Sequence, residues 1–225
     1  MSLADDLCKI GKSLAERNFV HYLLGTISAR SSENPHTYLV KPAECLYELA
    51  NPSDFALVNE DGDPVDGTDR RPSLNFLVHL ACYRARPDIG GVVHAHPEKT
   101  TALISQDHPA FNGIPSRIPL LTQEGVWMVK NWHIPIVEDL DPKELAEAVS
   151  EKILEANVVA IRNHGIIAVG KSIWEAYGAA LVAESEAVML GSIISMGGKP
   201  LIRNPETGET DLCKMPSRTF SKKFT

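Results

Sequence analysis

The sequence predicts an α+β or three-layer α/β/α architecture, with antiparallel strands and helices around them. Three observations carry this. Short apolar runs of strand length ("TYLVKP", "IGGVVHAH", "IPIV") are bounded by Gly, Pro and Asp. "NVVAIRNHGIIAVG" places two apolar runs around a tight polar turn, the pattern of an antiparallel hairpin. Stretches with helical spacing of apolar residues are interspersed among these runs. The chain has 225 residues and no internal repeat or linker, so one domain over 1–225 is expected, with a polar tail from about 198.

The elements follow in chain order. Leu3, Leu7, Ile10 and Leu14 recur at helical spacing and predict an amphipathic helix ending near Asn18. "FVHYLLGTISAR" turns at Gly25 and delivers Thr26 and Ser28 from a strand or loop. Strands are expected over 37–42 and 55–65, the second closing at Asp61-Gly62. Between Pro72 and Pro87, Leu74, Leu77, Val78 and Ala81 share one face of a helix. "IGGVVHAH" reads as a short buried strand, and Pro97 suits the first turn of a helix through Ser105. His108 to Trp132 is rich in Pro, Gly and aromatics and reads as irregular with short strands. A strand over 134–137 precedes a helix over 141–156, which has an Asp cap and Pro at its first position. The hairpin over 157–170 turns at Asn163-His164-Gly165, and Ser172 then caps a long helix.

Composition narrows the function. With 44% hydrophobic residues the chain can bury a sizeable core. A net charge of −7 disfavours nucleic acid as a main partner, because binding a polyanion needs a basic surface. There is no run of about 18 apolar residues to span a bilayer. The opening residues lack a basic region followed by an apolar block, so the expected location is cytoplasmic. Cys8, Cys45, Cys82 and Cys213 are widely spaced with no C-x-x-C, which reads as reduced thiols.

Among eight histidines, His94 and His96 stand apart. In a strand, residues i and i+2 point to one face, so these two imidazoles can converge on one cation. The competing reading is a buried strand that happens to end in polar residues. His164 lies in a tight turn between two apolar strands, where a side chain is held at a fixed angle near another strand end. Two ligands from a strand and one from a turn match a three-histidine catalytic site with an open position. Here the alternative is that His164 merely fits left-handed turn geometry.

"GTISAR", "PSLNFLVHLACYR", "VVHAHPEKTTAL" and "VVAIRNHGIIAVGKSIWEA" resemble, in order and spacing, the class II aldolase/adducin family over roughly Leu3 to Leu190. The resemblance implies a central antiparallel sheet flanked by helices, and homotetramers with active sites between subunits. It makes His94, His96 and His164 the ligands of a divalent cation, usually zinc. Manganese, cobalt, nickel and iron are the other candidates; imidazole suits nickel and iron as well as zinc. Two departures matter. Where the family carries P-S-S-E, this chain reads "PSLN", so Asn75 stands at the acid/base position. An amide has no proton to exchange near neutral pH. His79, one helical turn on, is a candidate replacement, with core packing as its other reading. The phosphate loop is altered as well: G-N-I-S becomes "GTIS", and "VKPAEC" stands in place of Thr-Pro-x-Gly. Thr26, Ser28 and Ser73 keep hydroxyls that can donate to an anion, and Lys41 can pair with a carboxylate as a point charge or simply be a solvated strand end.

The resulting expectation is a metal-dependent carbon–carbon lyase that stabilises an enediolate and cleaves a small hydroxy-carbonyl, sugar-like substrate by an aldol route. Decarboxylation of a hydroxylated or keto acid is the alternative within the enzyme class, since it needs only a proton donor after CO₂ leaves. A non-catalytic, adducin-like interaction module is the alternative from another class. The basic tail, with Lys214, Arg218, Lys222 and Lys223, reads either as a frayed terminus or as a segment closing a neighbour's site.

Overall fold

In the computed structural model, residues 2–108, 111 and 113–201 are described. The tail carrying Lys214 to Lys223 therefore lies outside the described residues.

Eight strands form one sheet in the order β3-β2-β1-β4-β8-β7-β6-β5. They are β1 (Thr26–Arg30), β2 (Tyr38–Val40), β3 (Ala56–Val58), β4 (Gly91–Ala95), β5 (Arg117–Pro119), β6 (His133–Val137), β7 (Val158–Ile161) and β8 (Gly165–Gly170). Every neighbouring pair is antiparallel except β6–β7, which runs parallel. Among the described residues the α-helices are α1 (Leu3–Glu16), α2 (Phe76–Ala85), α3 (Glu98–Ile104), α4 (Gln123–Val129), α5 (Pro142–Lys152) and α6 (Ile173–Ser195).

Strand alternation sorts the sheet into two cores. Ile27, Val93, Ala95, Val158, Ala160, Ile166 and Ala168 face α1, α3, α4 and α6. Tyr38, Val40, Val92, Val159, Ile161, Ile167 and Val169 face α2 and α5. Because one helix layer covers each face, β4, β7 and β8 are buried at every position. This is the three-layer, mainly antiparallel arrangement expected. α6 is 23 residues long and reaches a mean hydropathy of 1.3 over its most apolar window. Its Ala176, Ala179, Ala180, Ala183, Ala187 and Leu190 nevertheless pack into the first core, as in the central helix of a folded domain.

Caps read from sequence hold. The Asp141 side chain accepts from the amides of Lys143 and Glu144, and Ser172 accepts from that of Glu175. Three expectations need correction. The strand over 55–65 shortens to Ala56–Val58, because the chain turns back at Gly62, whose φ is +82°. The stretch 108–132 contains a helix, α4, which Thr122 caps by accepting from the Gly125 amide and left-handed Lys130 ends. Of the expected face Leu74, Leu77, Val78 and Ala81, Val78 is buried and Ala81 packs partly buried against the core, but Leu74 and Leu77 are exposed, and Phe76, His79, Leu80 and Tyr83 are buried instead. Both sets have the i, i+3, i+4, i+7 spacing of a helical face, so periodicity alone does not choose between them. Packing on the sheet and α5 does.

Candidate metal centre

β4 and the β7–β8 turn bring three histidines to one end of the sheet. His94 is fully buried on β4, opposite Thr26 of β1 and Ile167 of β8. His96 lies just beyond the last residue of β4, on the same side as His94, and its backbone is tied to Phe19 by a 2.7 Å amide–carbonyl hydrogen bond. His164 sits in the turn, where its amide donates to Ile161 O at 3.1 Å. The left-handed residue of that turn is Asn163 (φ +56°), so His164 is not there merely to fill a left-handed position.

The three rings are 4.9–5.2 Å apart between centroids, and one nitrogen from each lies within 4.8 Å of the other two. Glycine permits this approach. A Cβ on Gly165 would sit 2.3 Å from Ala95 O and 2.9 Å from His96 Cδ2. A Cβ on Gly25, whose φ is +77°, would meet Val20 at 2.5 Å and His94 O at 3.1 Å.

Electrostatics favours neutral, ligand-ready imidazoles. Burial, reinforced by the neighbouring rings, holds His94 well below the usual histidine range. Burial and His164 lower His96 to about 4. Both ring nitrogens of His94 and Nδ1 of His96 are buried without a hydrogen-bond partner. Leaving such groups unpaired is costly, and a cation coordinated by one nitrogen of each ring removes part of that cost. The donor set therefore fits a divalent transition metal. His164 differs: its Nδ1 lies 2.9 Å from Asp139 Oδ1, leaving Nε2 as the free donor. Asp139 was not singled out by sequence reasoning; its only signal is an acidic pair directly after the "IPIV" strand.

The other expected site residues divide into two groups. Thr26 Oγ1 and Ser73 Oγ are 2.9 Å apart, which brings two hydroxyls together beside His94. Asn75 follows, half-buried at the start of α2, and makes no capping hydrogen bond with its side chain. Ser28 and Lys41 point elsewhere. Ser28 Oγ is buried between His79 Nδ1 at 2.7 Å and Tyr83 OH at 3.0 Å. Lys41, 1% exposed, donates to Leu23 O at 2.8 Å and lies over the Tyr47 ring. Lys41 is thus not a solvated strand-end lysine; its ammonium braces the loop that leads into Thr26.

Residues 5–190 match the family model described as class II aldolase and adducin N-terminal domain. The 5-methylthioribulose-1-phosphate/5-deoxyribulose-1-phosphate aldolase of Escherichia coli O45:K1 (strain S88 / ExPEC) is 30% identical over 156 residues, 67% of this chain and 67% of that protein. A methylthioribulose-1-phosphate dehydratase of Bacillus mycoides (strain KBAB4) is 31% identical over 179 residues, 76% of this chain and 81% of its own length. Among solved structures, an L-fuculose 1-phosphate aldolase superposes with a TM-score of 0.77 at 22% identity, covering 91% of this chain and 92% of that one.

Proposed function

The chain belongs to the class II aldolase and adducin N-terminal domain family, as an enzyme, and we propose that it is a metal-dependent lyase acting on a small ketose 1-phosphate. The observation that carries this reading is the convergence of the His94, His96 and His164 nitrogens beside the paired hydroxyls of Thr26 and Ser73. A divalent cation, zinc by the donor set, supplies Lewis acidity to adjacent substrate oxygens when bound. The chain's own residues do the rest. Thr26 and Ser73 donate to the phosphate. Asn75 orients a substrate oxygen through its amide, and burial keeps His94 and His96 neutral and ready to coordinate.

Aldol cleavage is the principal reaction in this reading. Dehydration of the same substrate class is the second. It is favoured by the dehydratase relative; like aldol cleavage it needs a proton moved, which the amide of Asn75 does not supply. The reading includes a homotetramer in the cytoplasm. Exposed Tyr22, Leu24 and Leu74, close in sequence to Thr26 and Ser73, support an interface beside the site. Sedimentation velocity tests the assembly.

The deciding experiment assays full-length, zinc-loaded protein on 5-methylthioribulose 1-phosphate, 5-deoxyribulose 1-phosphate and fuculose 1-phosphate, following aldehyde formation and loss of water. Hydroxylated and keto acids are run beside them, following CO₂. Turnover of a ketose 1-phosphate is expected. Turnover of the acids alone would replace this reading with a decarboxylase. Asn75→Glu is the matched variant: it raises aldol cleavage if Asn75 stands in for a lost base, and no gain in aldol cleavage argues for dedicated different chemistry.

A further inference from the structure

We propose that Asp139 is the positioning residue of the histidine cluster: it sets the tautomer and ring angle of His164 so that Nε2 is presented to His94 and His96. The inference rests on the metal-site reading above. A carboxylate only accepts hydrogen bonds, so the 2.9 Å contact with Nδ1 requires the proton to sit on Nδ1. The neutral ring then carries its lone pair on Nε2, the nitrogen left for a ligand.

The topology explains why His164 needs such a tether. His94 is part of a strand paired on both sides, and His96 is anchored through its amide to Phe19. His164 stands on a short turn outside the ladder, 22% exposed at its side chain. β6 and β7 run parallel, with Val137 opposite Ile161, and the Arg162 amide donates to Val137 O at 2.9 Å. The two residues that leave β6, Glu138 and Asp139, therefore lie alongside the turn that leaves β7. Arg162 Nε donates to both Glu138 oxygens at 2.8 and 3.0 Å, and its terminal nitrogens reach Ile104 O and Pro115 O. This arginine lock fixes the backbone of the turn; Asp139 fixes the ring it carries.

The test uses the full chain with ¹⁵N-labelled histidine. In metal-free wild type, imidazole ¹⁵N shifts report His164 protonated at Nδ1. Asp139→Ala moves the proton to Nε2 or mixes the tautomers, and Asp139→Asn does so in part. Zinc affinity, measured by competition with a chelator, falls by about 10–100-fold in Asp139→Ala. Thermal unfolding of the metal-free protein stays near wild type, because Asp139 is half-exposed in a loop. Glu138→Gln weakens the arginine lock and leaves the tautomer as it was. An unchanged tautomer with zinc affinity within twofold of wild type overturns the proposal. Failure of wild type to bind zinc while the tautomer still answers to Asp139 overturns the metal reading and leaves the positioning role standing.

Discussion

His79 on α2 and His94 on β4 are both fully buried, with ring centroids 6.5 Å apart, yet their surroundings differ in kind. His79 belongs to an internal network: its Nδ1 meets Ser28 Oγ, which also meets Tyr83 OH. His94 has no hydrogen-bond partner on either nitrogen and instead has two further imidazoles about 5 Å away. Burying a polar atom without a partner costs on the order of 1–3 kcal/mol. The fold meets that cost from its own hydroxyls at His79 Nδ1, with Nε2 left unpartnered, whereas at His94 it supplies no partner to either nitrogen. Of two neighbouring histidines, the structural one is wired inward and the candidate ligand is left open toward its two companions.

Four experiments press on that contrast. His94→Ala should have the largest effect: tightly bound zinc falls from about one per chain to none by metal analysis, and lyase turnover disappears with it. Gly165→Ala comes next, since its Cβ would collide with Ala95 O and His96 Cδ2. Overpacking of this kind costs about 1–3 kcal/mol in denaturant unfolding, and a measurable loss of zinc affinity should accompany it. Ser28→Ala leaves His79 Nδ1 and Tyr83 OH without their shared partner, for a similar loss of about 1–3 kcal/mol, but zinc content should remain that of wild type. If Ser28→Ala strips the metal, the two histidine regions are one network and the contrast fails.

The smallest effect is in acid. Burial lowers His79 from 6.5 to about 3, so the unfolded chain takes up a proton that the folded chain refuses. This group's contribution is fully present above pH 6.5 and is lost progressively as pH falls from there toward 3. In metal-free protein, the stability advantage of wild type over His79→Gln should therefore shrink across that window, as followed by urea unfolding at a series of pH values.

Much of this was legible in sequence. Turn residues marked the strands, Asp141 and Ser172 marked helix starts, and the i, i+2 spacing of His94 and His96 put two imidazoles on one face. α4 was hidden because 108–132 is dense in Pro, Gly and aromatics, and its only start signal, Thr122, is a single residue. Lys41 read as a point charge for a carboxylate or a solvated strand end, whereas its ammonium is buried against Leu23 O. Asp139 was silent, since the contact with His164 spans 25 residues and depends on a parallel strand pair.

By itself, then, the sequence determined the local events: the helix caps, the hairpin, the paired histidines of β4, and the amide at Asn75 where the family's carboxylate stands. These depend on residue type and short spacing. Tertiary structure alone decided which of two equally periodic faces of α2 is buried, which hydroxyls meet beside His94, and which carboxylate orients His164. Those outcomes depend on which strands become neighbours, and strand order arises from the burial of two sheet faces at once rather than from any one segment.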